Sequence, residues 1–461
     1  MAQTDQFGYE LTLSSPECAT FWNSTVTAFL AHGRETPVFL GKTLELDPLF
    51  ALGHAARGLF CLMLGRREMT LAATEAWQSA DAARKARNVT DREAAVVDAL
   101  KDWLDGWPSR AAFRMDRALL SAPEDAFLLK LVHATRFMMG DSTGMRASIE
   151  AVLGSYDETH PAYGYVLGCR AFSLEETGDY RLAEACGKRG LEFAANDAWG
   201  LHAVAHVHDM TGRSEEGIAW LEKRPDGWAH CNNFGYHVWW HLALMYLDQG
   251  KPDKALELYD SEVRRDRTDD FRDISNAVSL LVRLELEGVA VGSRWHELVH
   301  LSDKRAEDGC NVFADLHYMI ALANGGTGQA VNRLLLSLQQ RATLPGGDMQ
   351  PVAEKAGLPA AQGLEEFRAG NYGTAFRFLT IAQKDLQIIG GSHAQRDVFD
   401  RITIDAALRA GLAAEAEAAL RTRAKRRGAL DRFAELRLET CHKMQTAQSV
   451  MLDNRLRATM T

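Results

Sequence analysis

Four histidines stand in two pairs, each pair four residues apart. His202 and His206 lie in DAWGLHAVAHVHDM (197–210), and His237 and His241 lie in HVWWHLAL (237–244). On a helix, residues four apart share one face, so each pair presents two imidazoles together. Imidazole changes charge near neutral pH and serves as acid, base, hydrogen-bond partner or metal ligand. Three uses compete. The rings pack between helices with satisfied hydrogen bonds. Or they bind a small ligand and exchange protons with it, walled by Trp199, Trp239 and Trp240. Or they hold a metal, with Glu175, Glu176 or Asp209 adding a carboxylate. Packing alone does not need four imidazoles at one level. HAVAH and HVWWH lack the inner Glu of the HExxH zinc-hydrolase motif, and no cysteine lies among the paired imidazoles. The expectation is no resident cofactor; a metal, if held, takes His202, His206, His237 and His241.

A literal HExxH does occur, as His296, Glu297 and His300 in HELVH. Three fixed residues match often by chance, and registration on Gly288 puts the motif on a helix facing away from the other candidates. His54, His133, His208, His230 and His300 read as packing residues. GGSHAQRDVF (390–399) is a Gly-Gly turn entering a helix, with Ser392 placed to cap it. His393, Gln395, Arg396 and Asp397 are candidates to reach the same cavity, Arg396 as a carboxylate or phosphate anchor. Asp315 and His317 in ADLHYMIAL (314–322) are further candidates. There is no GxSxG, GxGxxG or Walker loop, which removes the commonest hydrolase and nucleotide readings.

The elements that must carry these residues are helices in pairs. Helix-ending glycines recur at 33, 65, 106, 140, 178, 212, 250, 288, 325, 370 and 411, in steps of 32 to 45 residues. That spacing is the tetratricopeptide signature. Small residues follow many of these glycines by five: Ala111, Ala183, Ala255, Ala330, Ala375 and Ala416. Alternating apolar runs closed by hairpin turns are almost absent. The expected fold is all-α, a tetratricopeptide-like superhelix of about ten helix pairs. It is one array over 1–461, with an N-terminal cap over 1–30 and capping helices over 415–461. TLPGGDMQP (343–351) reads as a loop insertion. Registered on Gly212 and Gly250, the two histidine helices are consecutive first helices of their pairs, so both histidine pairs face one concave cavity.

Bulk composition narrows the partners. The formal net charge of −10 over 461 residues argues against nucleic acid, which needs a basic face. The one basic run, RTRAKRR (421–427), reads as the solvated face of a late helix. MAQTDQFGYELTLSS lacks the pattern of a secretory signal, and no apolar stretch reaches the length of a membrane helix. Seven cysteines, none in CxxC, fit a reducing compartment. A cytoplasmic location follows as the expectation, with no membrane partner.

At these segments the chain resembles bacterial members of the tetratricopeptide repeat protein 38 family. The resemblance covers nearly the whole chain. It rests on DAWGLHAVAHVHDM, HVWWHLAL, ALELYD (255–260), LELEGVAVGSRW (284–295), DLHYMIAL (315–322) and GGSHAQRDVF. It implies site roles for Asp197, Trp199, His202, His206, His237, Trp240, His241, Asp315, His317, Ser392, Gln395, Arg396 and Asp397, and none for His296 or His300. Asp209 stands where the resemblance leads one to expect Glu, and Val238 where it leads one to expect Asn. The resemblance supplies a fold and candidate residues without a reaction.

The leading expectation is a repeat protein that binds a small polar molecule or a peptide in a His/Trp-rich groove. Trp199, Asp209, Trp240, Glu175 and Arg396 would line it. The alternative is an enzyme that uses His202, His206, His237 and His241 for acid–base or metal-assisted hydrolysis or elimination. A third reading is a protein scaffold favouring basic partner segments. Homo-oligomerisation is left open.

Overall fold

The computed structural model describes residues 3–459, and they are almost entirely helical. The one sheet is a two-residue antiparallel pair, Gln3–Thr4 with Glu10–Leu11. Helix starts follow from side-chain caps that satisfy the free N–H groups of a first turn. Asp125, Asp141, Asp197, Asp270, Asn311 and Thr327 each accept from a backbone N–H just inside their helix. Thr90 with Glu93 and Ser392 with Gln395 form reciprocal capping boxes. Most of the predicted boundary glycines take left-handed backbone, among them Gly212 at φ 69° and Gly250 at φ 68°. Gly33 does not; the residue before it, His32, carries the positive φ instead, at 57°. Ala111, Ala183, Ala255, Ala330, Ala375 and Ala416 are all wholly buried, as expected for positions where paired helices press together. No helix among the described residues is long and apolar enough to cross a membrane.

Two large apolar cores meet at one element. The first runs from Leu11 to Val207 and the second from Ala198 to Ile402. The helix Ala198–Met210 belongs to both: Trp199, Ala203 and Val207 face one core, and Ala198, Leu201 and Ala205 the other. Every residue of this helix is buried. It lies against the helix Tyr163–Glu176 at unusually short range, because Gly168 and Gly200 face each other. A Cβ on Gly168 would meet Gly200 Cα at 3.1 Å and Asp197 Oδ2 at 1.8 Å.

The C-terminal part of the chain closes back on the middle. The Gly390–Ser392 turn lies against Met138 and Phe313, and the His393 N–H donates to Glu176 Oε1 at 2.7 Å. Further on, the run 421–427 departs from the expected solvated face. Arg421, Lys425 and Arg426 are exposed, but Arg423 and Arg427, four residues apart, are buried. Arg423 donates to Asp397 Oδ1 at 2.5 Å and Asp431 Oδ2 at 2.6 Å. Arg427 donates to Asp209 Oδ1 at 2.9 Å. Burial pushes the Asp397 carboxyl up, but Arg423 and Arg401 outweigh it and hold the carboxyl well below its ordinary range. Removing one partner from such a cluster leaves an uncompensated buried charge, which costs about 3–5 kcal/mol. Arg423→Ala should therefore lower stability by about that amount, read as a left shift of the urea midpoint. Arg421→Ala, on the exposed side of the same helix, should leave the midpoint unchanged.

Candidate functional site

The two histidine pairs converge. His202 and His206 project from Ala198–Met210, and His237 and His241 from the helix Phe234–Asp248. Their Nε2 atoms point at one another: 2.9 Å from His206 to His202, 3.1 Å from His202 to His237, and 3.2 Å from His237 to His241. His202, His206 and His241 are buried and His237 is half-buried. Aromatic rings enclose the focus. Trp240 stacks on His237 at 5.2 Å and Phe172 on His202 at 5.7 Å, while Trp199 lies 5.2 Å from His202.

The outward nitrogens show which protons are available. His237 Nδ1 lies 3.0 Å from Asn276 Oδ1, an acceptor only, so its proton is on Nδ1 and its Nε2 carries a lone pair. His206 Nδ1 stands 3.5 Å from a carboxylate oxygen of Glu175, which is wholly buried and has no other hydrogen-bond partner. The three Nε2 contacts cannot then all be separate two-centre hydrogen bonds. With no proton on His237 Nε2, the contact with His241 needs the His241 proton and the contact with His202 needs the His202 proton. A protonated His202 Nε2 has no lone pair left for His206. If His206 also presents an N–H, two N–H groups meet; if it presents a lone pair, the one N–H of His202 is shared between His206 and His237, and the one lone pair of His237 between His202 and His241. A single cation at the focus removes the conflict by accepting all four lone pairs. Tetrahedral ligation at an ordinary metal–imidazole length of about 2.0–2.1 Å places ligand nitrogens about 3.3 Å apart, close to the spacing here. The chemistry of the donor set thus fits one divalent ion, with Glu175 as the carboxylate behind a ligand imidazole.

Electrostatics separate the four rings. Burial lowers His202 and His241 well below the ordinary histidine range, helped by the neighbouring imidazoles. Burial takes His237 down to about 3. Burial also lowers His206, but Glu175 and Glu176 outweigh it and its pKa is raised.

The other predicted residues are drawn elsewhere. Trp199 donates its indole N–H to His133 Nε2 at 3.1 Å, and the other nitrogen of the buried His133 ring, Nδ1, has no partner. Trp240 donates to Ser279 Oγ at 3.1 Å. Asp209 faces Arg427 rather than the imidazoles. Asp315 pairs with Arg341 at 2.7 Å, and His317 Nδ1 bonds Phe313 O at 2.8 Å. Ser392 and Gln395 are a capping box, and Asp397 belongs to the Arg423 cluster. Arg396 reaches inward, and there it pairs with Glu176 at 3.2 Å and donates to Gly390 O and Gly391 O. In HELVH, Glu297 is held by Arg264 at 2.8 Å, and His296 and His300 are exposed. Sequence reasoning missed Asn276, Phe172, Phe234 and His32. Asn276 had a signal, as one of three uncharged polar residues (Ser275, Asn276, Ser279) close together in the helix Phe271–Leu286. No family model matches the chain.

The depressed imidazoles fix a pH dependence. Where the folded pKa lies below the unfolded value near 6.5, the unfolded chain binds more protons. Stability is then full above about pH 6.5 and is lost as pH falls toward the folded value. Asp197, pushed up to about 7 by burial, acts in the opposite sense, so a difference measurement is needed. In metal-free protein between pH 6 and 4, His237→Gln should remove about 1.4 kcal/mol per pH unit from the slope of stability on pH. Parallel slopes for the two proteins would show that His237 is not held neutral.

Proposed function

We propose that this chain is a tetratricopeptide-like helical repeat protein, akin to the tetratricopeptide repeat protein 38 family. In this reading its interior holds one first-row divalent transition metal on His202, His206, His237 and His241, and a small polar molecule is bound and acted on there. The observation that carries the reading is the convergence of four imidazole Nε2 atoms, in successive contacts of 2.9–3.2 Å that hydrogen bonds can join only by sharing one proton and one lone pair between two partners each. The repeat arrangement is supported by the helix-ending glycines in left-handed backbone and by the buried alanines five residues beyond many of them. The expectation of no metal rested on the missing inner Glu and the lack of cysteine. Four imidazoles need neither. Imidazole ligands suit zinc, iron, nickel and copper. All four are neutral, so the ion keeps its full positive charge for polarising a bound oxygen or water, and Glu175 supplies one compensating negative charge nearby. An ion that takes more than four ligands keeps a position for a substrate. These points set a metal-assisted enzyme ahead of a passive groove, and the closed, aromatic-walled setting sets both ahead of a protein scaffold.

Elemental analysis tests the reading. Protein purified without added metal, or reconstituted and desalted, should carry about one transition-metal ion per chain, and a chelator should lower its melting temperature. His206→Ala with His241→Ala should abolish the bound metal. Glu175→Gln, which keeps the shape and removes the charge behind His206, should weaken metal affinity by about 10–100-fold. Metal-free protein whose melt ignores added zinc, nickel, cobalt and copper would overturn the proposal.

A further inference from the structure

Three of the four walls around the histidine focus are fixed. Trp199 and Trp240 are pinned through their indole N–H groups to His133 and Ser279, and Phe172 is wholly buried in the apolar core. The fourth wall differs. Phe234 is the first residue of its helix, half-buried, and without any polar tether in its side chain. Its ring lies 5.1 Å from His202 and 5.7 Å from His237. Those are the two imidazoles joined across the helices, and His237 is the one member of the four that is not fully buried.

What holds Phe234 is a residue from the far end of the chain. His32 stacks on the Phe234 ring at 4.4 Å and on Trp199 at 5.3 Å. Its backbone φ of 57° is the one positive value at a non-glycine residue among those described. Such a conformation is strained for a residue with a side chain and persists only where the surroundings impose it. Here they do: Gly33 bridges Cys231, the Asn232 N–H donates to His32 O at 2.9 Å, and the Arg34 N–H donates to His230 O at 3.2 Å. The strained turn thus fastens the end of the first helix to the loop that leads into Phe234. Two buried polar atoms near this edge lack partners, His32 Nε2 and Asn276 Nδ2. Asn276 Oδ1 accepts from the His237 Nδ1–H, and its Nδ2 has no partner.

We propose that Phe234 is the gate and size filter of the tetra-histidine centre, clasped by His32. Its ligand is then a compact molecule of a few heavy atoms, which coordinates the metal directly. With both tryptophans pinned, displacing Phe234 opens the space of a single phenyl ring, which caps the size of what binds. This inference rests on the metal reading above.

The test uses full-length protein loaded with cobalt(II), whose visible spectrum reports on exogenous ligands, and follows azide and imidazole binding by stopped flow. Azide should bind the wild type. Phe234→Ala should raise its association rate by about tenfold or more, and should raise imidazole affinity by a larger factor than azide affinity. His32→Asn, which keeps a residue tolerant of the left-handed turn, should give an intermediate gain. So should Phe234→Leu, which preserves most of the packing if the alanine variant does not fold. Rates and affinities unchanged in Phe234→Leu and His32→Asn would overturn the gate while leaving the metal site standing. A cobalt spectrum that azide alters in none of the variants would overturn the open coordination position. Failure of the wild type to bind cobalt at all would instead sink the metal reading, and the gate with it.

Discussion

Four imidazole nitrogens forced to within hydrogen-bond distance of one another is the condition around which the middle of this protein is organised. Neutral imidazoles pair as donor with acceptor, and a ring whose outward nitrogen is already committed has only a lone pair to offer inward. Asn276 makes that commitment for His237, and Glu175 stands in place to make it for His206. Burial forbids the alternative of charging His202, His237 and His241, since unpaired cations in a low-dielectric interior are costly, while His206 has Glu175 and Glu176 beside it. In the reading proposed above, a cation at the focus would answer that arrangement.

Helix packing produces that crowding. Gly168 against Gly200 lets the helix Ala198–Met210 settle deep against Tyr163–Glu176, bringing Glu175 behind His206. The same helix forms the seam of two apolar cores, so it cannot tilt to relieve the imidazoles without opening one core or the other. The C-terminal turn adds a lock from outside, with Glu176 taken up by His393 and Arg396. Adjacent glutamates on one helix therefore have divided tasks. Glu176 is neutralised by the returning chain, and Glu175 is left for the imidazole.

Much of this was legible in the sequence. Helix pairing showed in the glycine spacing, and the two HxxxH stretches marked the focus because a four-residue step means one face whatever the tertiary structure. Spacing on one helix says nothing about how closely a second helix approaches, so the crowding of the Nε2 atoms could not be foreseen. Nor could the fate of Arg396, Asp397 and Asp209, whose partners lie 26 to 220 residues away in the chain. A basic run reads as solvated when only its own helix is considered; Arg423 and Arg427 are buried because Asp397, Asp431 and Asp209 arrive from other elements. His32 gave no signal at all, since its role depends on a backbone angle and on a loop two hundred residues downstream.

The pairing of Asp209 with Arg427 has a temporal consequence. Asp209 lies one turn beyond His206, and its partner is separated from it by more than two hundred residues of chain. During synthesis the histidine helix emerges long before the segment that covers its end. A nascent chain thus exposes the imidazole pairs to the surrounding medium, with its mixture of metals, while the last helices are still inside the ribosome. In the metal reading proposed above, an ion can then reach the imidazoles before Arg427 closes on Asp209, while in the finished fold its way in is past Phe234.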